Sequence, residues 1–177
     1  MAPQEFDVIF ETTKGSFRAR IHRDWSPNGA DRLHELVESG YYDDVAFFRV
    51  LDGFVAQFGI SGDPAVGAEW REKPIKDDTV VSSNKTGTIT FAMAGPDTRT
   101  TQLFINLADN TRLDDMGCSP VAEITDGMDV VAALHGGYGE GAPRGNGPDQ
   151  GAIHAKGNEY LRASFPDLDY VTRATIA

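Results

Sequence analysis

The chain has 177 residues, 40% hydrophobic and 24% charged, and its 16 Lys and Arg against 27 Asp and Glu give a formal charge of −11. That length suffices for one domain with a real core, and the acidic balance argues against nucleic acid or an anionic membrane as a partner. No apolar run approaches transmembrane length, the single cysteine, Cys118, permits no intrachain disulfide, and the N-terminus lacks a basic-then-apolar leader, so a cytoplasmic location is expected.

Phe6–Thr12 and Ser16–Ile21 alternate apolar and polar residues around Lys14-Gly15, which predicts a hairpin with one buried face. Ser26-Pro27 opens a helix over Asn28–Ser39, where Ala30, Leu33, Leu36 and Val37 form one apolar stripe and Gly40 supplies the stop. Next comes Phe47–Gly59, FFRVLDGFVAQFG, two β-like arms around the tight-turn signal Asp52-Gly53. Arg49 lies inside this apolar stretch. It is either a solvated strand residue or the lining of an apolar pocket, since burying a guanidinium without partners is costly.

Ile60–Thr86 shows little periodicity and is expected to be a long ordered loop, with Trp70 as a local anchor. Its sequon, Asn84-Lys85-Thr86, is read as coincidence in a chain without a secretory leader. Thr88–Ala92, Thr100–Leu107 and Val121–Ile124 are expected strands, and Asp126–Leu134 a short helix. Gly136–Gly151 holds seven glycines but lacks a phosphate-loop frame and reads as surface turns. Asn158–Phe165 is a candidate short helix stopped by Pro166, and Tyr170–Ile176 a closing strand. With neither a repeat nor a linker, residues 1–177 read as a single domain carrying a glycine-rich extension at about 136–168. About eight short β runs with short connections point to antiparallel pairing, for which a closed barrel would remove exposed edges.

Two separated motifs carry a resemblance. Phe47, Arg49, Val50, Gly53, Phe54, Gln57 and Gly59 fit the signature of the cyclophilins, a family of peptidyl-prolyl isomerases, and Gly87–Asn106 (GTITFAMAGPDTRTTQLFIN) is similar to their second hallmark. Leu113-Asp114 and Gly127–Val131 fit the later pattern. The resemblance implies an eight-stranded antiparallel β-barrel capped by two α-helices. It also implies a catalytic Arg49 and a proline pocket of Phe54, Val55, Phe104 and Leu113. Gln57 would orient Arg49, while Ala92, Met93 and Gln102 would hold the residues before proline. The implied partners are proline-containing peptides and folding protein clients, met by a monomer without a cofactor. The alternative is a peptide-binding, chaperone-like module without turnover. The chain departs from the family at Phe48, where His is common, at Met93, at Arg112, near Cys118, and in the long Gly136–Leu168 segment. These changes touch the rim, so cyclosporin binding is expected to be weak.

The remaining chemistry is weighed down by geometry. His22, His34, His135 and His154 lack ligand spacing with Cys118, so no metal is expected. Cys118 is read as a half-buried, inert thiol. Asp43-Asp44, Asp77-Asp78 and Asp114-Asp115 are neighbours whose side chains diverge in extended chain, and read as solvated turns.

Overall fold

The computed structural model describes residues 1–177. It is built on a curled antiparallel sheet whose strands run, in chain order, β1 (Glu5–Thr12), β2 (Gly15–His22), β3 (Val45–Ala46), β4 (Arg49–Leu51), β5 (Val55–Phe58), β6 (Thr88–Phe91), β7 (Leu103–Asn106), β8 (Pro120–Asp126) and β9 (Tyr170–Ile176). Across the sheet the nine strands stand in the order β3-β9-β1-β2-β8-β6-β7-β5-β4. The expected eight-stranded closed ladder is therefore corrected to nine strands with an open ladder. Its two ends, β3 and β4, are consecutive in the chain and separated only by Phe47 and Phe48.

The alternation in β1 and β2 does what the pattern predicts. Phe6, Val8 and Phe10 face inward opposite Ile21, Ala19 and Phe17, and Phe10 stacks on Phe17 at 4.9 Å. They join Phe58, Ile89, Phe91, Leu103, Ile105 and Val171 in one main core. Helix α1 (Pro27–Glu38) lays Ala30, Leu33, Leu36 and Val37 on that core. Its first turn is not capped by Ser26 but by Asp78, which accepts from the Asn28 and Gly29 N–H groups at 3.1 and 3.0 Å and from Arg99. The Asp78 side chain, 5% exposed, is thus a structural acceptor rather than a solvated turn residue, and half-buried Asp114 is another, taking hydrogen bonds from Ser83 and Asn84.

Helices number four, where three are expected along the chain and the resemblance implies two. The expected loop at Ile60–Thr86 contains α2 (Pro64–Arg71), started by Asp63, whose carboxylate accepts from the Ala65 N–H at 3.0 Å, with Pro64 in the first turn. Trp70 anchors it, lying edge-on to Tyr41 at 5.9 Å with Arg32 and Lys73 over its faces. Helix α3 (Met128–Ala132) packs on β2. Helix α4 (Gln150–Ser164) starts at Asp149, well before the expected Asn158, and breaks at Gly157, where φ is 61° and ψ −145°. Beyond that break it coincides with the expected helix. Ile153 and Leu161 of α4 join Phe48, Ile60, Leu168 and Tyr170 in a second apolar cluster. The sequon asparagine, Asn84, is fully buried. No helix is long and apolar enough to cross a membrane.

Candidate active site

Three strands at one end of the sheet, β4, β5 and β7, set the site by register. Arg49 pairs with Gln57, and Gln57 with Phe104, so these three side chains are successive cross-strand neighbours on one face. Val55 and Gln102 lie two residues along on the same face. The intervening residues, Ala56, Phe58, Leu103 and Ile105, point into the main core. That explains why β5 and β7 are buried throughout instead of alternating: one face meets the core, the other the site.

The turn between β4 and β5 needs glycine. Gly53 sits at φ 69°, and at Gly59, φ 116°, a Cβ would lie 2.5 Å from the Thr101 carbonyl oxygen. The hairpin therefore lies close against the strand that carries Gln102 and Phe104.

Two contrasting walls meet at Arg49. The first is apolar: Val55, Phe104, Leu113 and Cys118 form a small buried cluster, with Phe54, Ala92 and Met93 packed against it. The structure brings the apolar residues expected at the pocket together in this one cluster. A buried polar frame behind this wall was not anticipated. Asn110 donates to the Phe54 carbonyl and to the Asn106 side chain, both at 2.9 Å, and Asn106 and Thr90 both donate to Asn84. Since Asn84 also binds Asp114, the segment bearing Leu113 is tied to the sheet. Cys118 is buried rather than half-buried, and burial raises its thiol pKa, with Asp114 nearby acting in the same sense. At the rim, the Arg112 guanidinium lies 5.2 Å from the Phe54 ring centre. The Ala92 N–H donates to the Gln102 carbonyl at 2.9 Å.

The second wall is polar. Arg49 Nη1 donates to Gln57 Oε1 at 2.9 Å, and Gln57 Nε2 donates to Gln102 Oε1 at 2.9 Å. Gln57 is thus placed to hold the guanidinium, and Gln102 to hold Gln57. No local pattern points to the remaining contact: Arg49 Nε and Nη2 donate to the two carboxylate oxygens of Glu140 at 2.7 and 2.9 Å. This fork-to-fork pairing holds the Glu140 carboxyl down at about 2, chiefly through the hydrogen bonds from Arg49 and against the opposing effect of burial. Arg49 keeps 23% of its side chain exposed, and its guanidinium carbon stands 5.9 Å from the Phe54 ring centre. Beside it, Phe48, Glu140, Pro143, Arg144, Pro148 and Gln150 help line a cleft of about 240 Å³. No group of His, Cys, Asp and Glu is placed to hold a metal ion.

The profile of the cyclophilin-type peptidyl-prolyl cis-trans isomerases matches residues 7–150, and the chain belongs to this family. Peptidyl-prolyl cis-trans isomerase B of Escherichia coli is 31% identical over 138 residues, covering 73% of this chain and 84% of that one. A peptidyl-prolyl cis-trans isomerase-like 1 of Rhizopus delemar is 32% identical over 131 residues, covering 72% of this chain and 79% of that protein. The chain matches the isomerase cyp15 of the same fungus at 32% identity, but spans only 20% of its length. Among solved structures, the cyclophilin-type isomerase of Cryptosporidium parvum superposes with a TM-score of 0.72 at 18% identity, covering 98% of each chain. A second structure of that protein, determined in the presence of the dipeptide Ala-Pro, gives 0.71 at 19% identity, covering 97% of this chain and 98% of that one.

Proposed function

We propose that this protein accelerates rotation about Xaa-Pro peptide bonds, with Arg49 as the catalytic residue and proline-containing peptides or folding chains as substrates. An Xaa-Pro bond turns slowly because amide resonance imposes a barrier of roughly 18–20 kcal/mol. No covalent bond has to break. Catalysis needs only stronger binding of the twisted amide than of the planar one. On twisting, the prolyl nitrogen becomes pyramidal and gains a lone pair, which a fixed guanidinium can meet with an N–H. In the planar amide that lone pair is delocalised and unavailable.

The observation that carries this reading is the position of Arg49 between the two walls. A guanidinium has five N–H bonds; Gln57 and Glu140 take three of those on Arg49, so two remain for a substrate. The apolar cluster of Val55, Phe104 and Leu113 beside it suits a proline ring, and the Ala92 carbonyl and Gln102 would hold the residues before it. The Ala-Pro dipeptide used with the Cryptosporidium parvum protein supports the same substrate class. One charge-assisted hydrogen bond is worth roughly 1.5–3 kcal/mol, whereas an acceleration of about 10⁵ needs about 7 kcal/mol. Desolvating the amide and holding its two ends must supply the rest.

Arg49→Ala should lower kcat/KM on an Xaa-Pro peptide by a factor of at least about 100, the upper end of one lost charge-assisted hydrogen bond, while the fold persists. A protease-coupled assay measures this. Unchanged turnover refutes the role of Arg49, and peptide binding without any exchange between isomers in NMR line shapes would make the protein a binding module instead.

A further inference from the structure

The polar wall is a continuous relay of side chains: Glu140, Arg49, Gln57, Gln102 and Gln150, the last link being Gln102 Nε2 to Gln150 Oε1 at 3.4 Å. Its middle lies on the sheet. Both of its ends come from the glycine-rich segment and the start of α4. The stronger end is Glu140, and the chain around it is built to present that one carboxylate. Glu140 Oε1 accepts from the Gly141 N–H at 2.9 Å, the Glu140 carbonyl accepts from the Gly147 N–H at 2.9 Å, and the Gly147 carbonyl accepts from the Ala142 N–H at 3.1 Å. A Cβ at Gly147 would lie 2.8 Å from the Glu140 carbonyl, and one at Gly145 would collide with it outright. The glycines let the loop close tightly on itself.

Arg49 needs such a holder. It sits on the three-residue strand at the end of the ladder, with a neighbour on one side only. Without Glu140, one hydrogen bond donated to Gln57 and the face of the Phe54 ring would be all that restrains a long, partly exposed side chain. A single contact leaves a guanidinium free to pivot, whereas a bidentate carboxylate fixes both its plane and its direction. Resting on the isomerase reading above, we propose that Glu140 is a positioning residue for the reaction: its carboxylate locks the Arg49 guanidinium so that the two remaining N–H bonds are presented to the prolyl nitrogen in one orientation. The carboxylate also draws on the charge of Arg49, which by itself would weaken the catalytic hydrogen bond. The proposal is that orientation outweighs this loss.

The test uses the full chain and four variants, one of them double. Glu140→Ala should lower kcat about tenfold with KM changed less than about twofold, the lower end of one charge-assisted hydrogen bond. Glu140→Gln, which keeps a carbonyl oxygen facing Nε, should recover part of that loss. In NMR the Arg49 Nε–H should give a slowly exchanging, downfield signal that is lost in Glu140→Ala. In an Arg49→Ala background, Glu140→Ala should have no further effect on kcat. Unchanged or raised kcat in Glu140→Ala, with the Nε–H signal gone, overturns the proposal and makes Glu140 idle or a brake. An Nε–H signal indifferent to Glu140 overturns it too, as does an equal loss in the Arg49→Ala background, which would assign the effect to the fold. A catalytic role for Arg49 itself fails separately, through the Arg49→Ala variant alone.

Discussion

The apolar and polar walls of the site differ in where their parts come from. Val55, Phe104 and Leu113 belong to the sheet and the connection that follows it, within the stretch that carries both family motifs. The polar wall begins and ends outside those motifs, at Glu140 and Gln150. The sheet therefore supplies the apolar surface beside Arg49, and the later segment supplies the carboxylate paired with its guanidinium. This pairing also accounts for Phe48. Next to Arg49, where the cyclophilins commonly carry His, Phe48 is buried against Ile153, Leu161, Leu168 and Tyr170. Phe48 is the apolar dock that holds the extension over the site, which a solvated histidine would not be.

Removing that dock should give the largest effect. Phe48→Ala empties a site that is 3% exposed, and is expected to cost about 3–5 kcal/mol of stability, the usual range for a buried phenylalanine. Urea unfolding measures it. Hydrogen exchange should accelerate mainly between residues 139 and 164, while β1 and β2 keep their protection. Uniform loss of protection across the sheet would mean that the two regions fold as one unit, and the contrast between them would collapse.

The other wall can be broken without touching the dock. Phe104→Ala removes the ring at the centre of the apolar cluster, which is expected to cost about 2 kcal/mol of substrate contact, roughly thirtyfold in kcat/KM. The Arg49 Nε–H signal should survive, because none of its three bonds involves Phe104. A fall in kcat/KM accompanied by loss of that signal would show that the two walls are not independent.

How much of this could be read in the chain follows from the reach of each signal. Local alternation placed β1, β2 and β9, and the 3.6-residue stripe placed α1 to within a residue at each end. Asp63-Pro64 is a helix start of the ordinary kind, an acceptor followed by a proline, and α2 was within reach of the same rules. Only eight residues follow it, too few to show periodicity. The early start of α4 was masked by the glycine-rich stretch before it and by the break at Gly157. Glu140 was beyond any local signal. It lies 91 residues from Arg49, and a carboxylate in a glycine-rich run has no pattern that names its partner. The burial of Asp78 was hidden for the same reason: its partners are on α1, about fifty residues away. Neighbouring carboxylates do point apart, but that geometry does not say which of them a distant helix terminus will claim.

The smallest expected effect separates the walls by pH alone. The Glu140 carboxyl titrates at about 2 in the folded protein against an ordinary value of 4.5, so pairing with Arg49 adds stability that is fully present above about pH 4.5 and is lost as pH falls towards 2. Both partners are partly exposed, 23% for Arg49 and 34% for Glu140, so solvent screening cuts the contribution to about 1 kcal/mol. Other carboxylates held low by their partners, Asp7, Asp31 and Asp114 among them, lose stability on acidification in the same sense, so the comparison must be with a variant. Glu140→Gln should unfold with a shallower dependence on pH between 4.5 and 2 than the parent protein, and in parallel with it above 5. The Phe104→Ala profile should run parallel to the parent throughout, since nothing in the apolar wall titrates there. Parallel profiles for Glu140→Gln across the whole range would mean that the carboxylate is not paired in solution, and the polar wall would then rest on Gln57 and Gln102 alone.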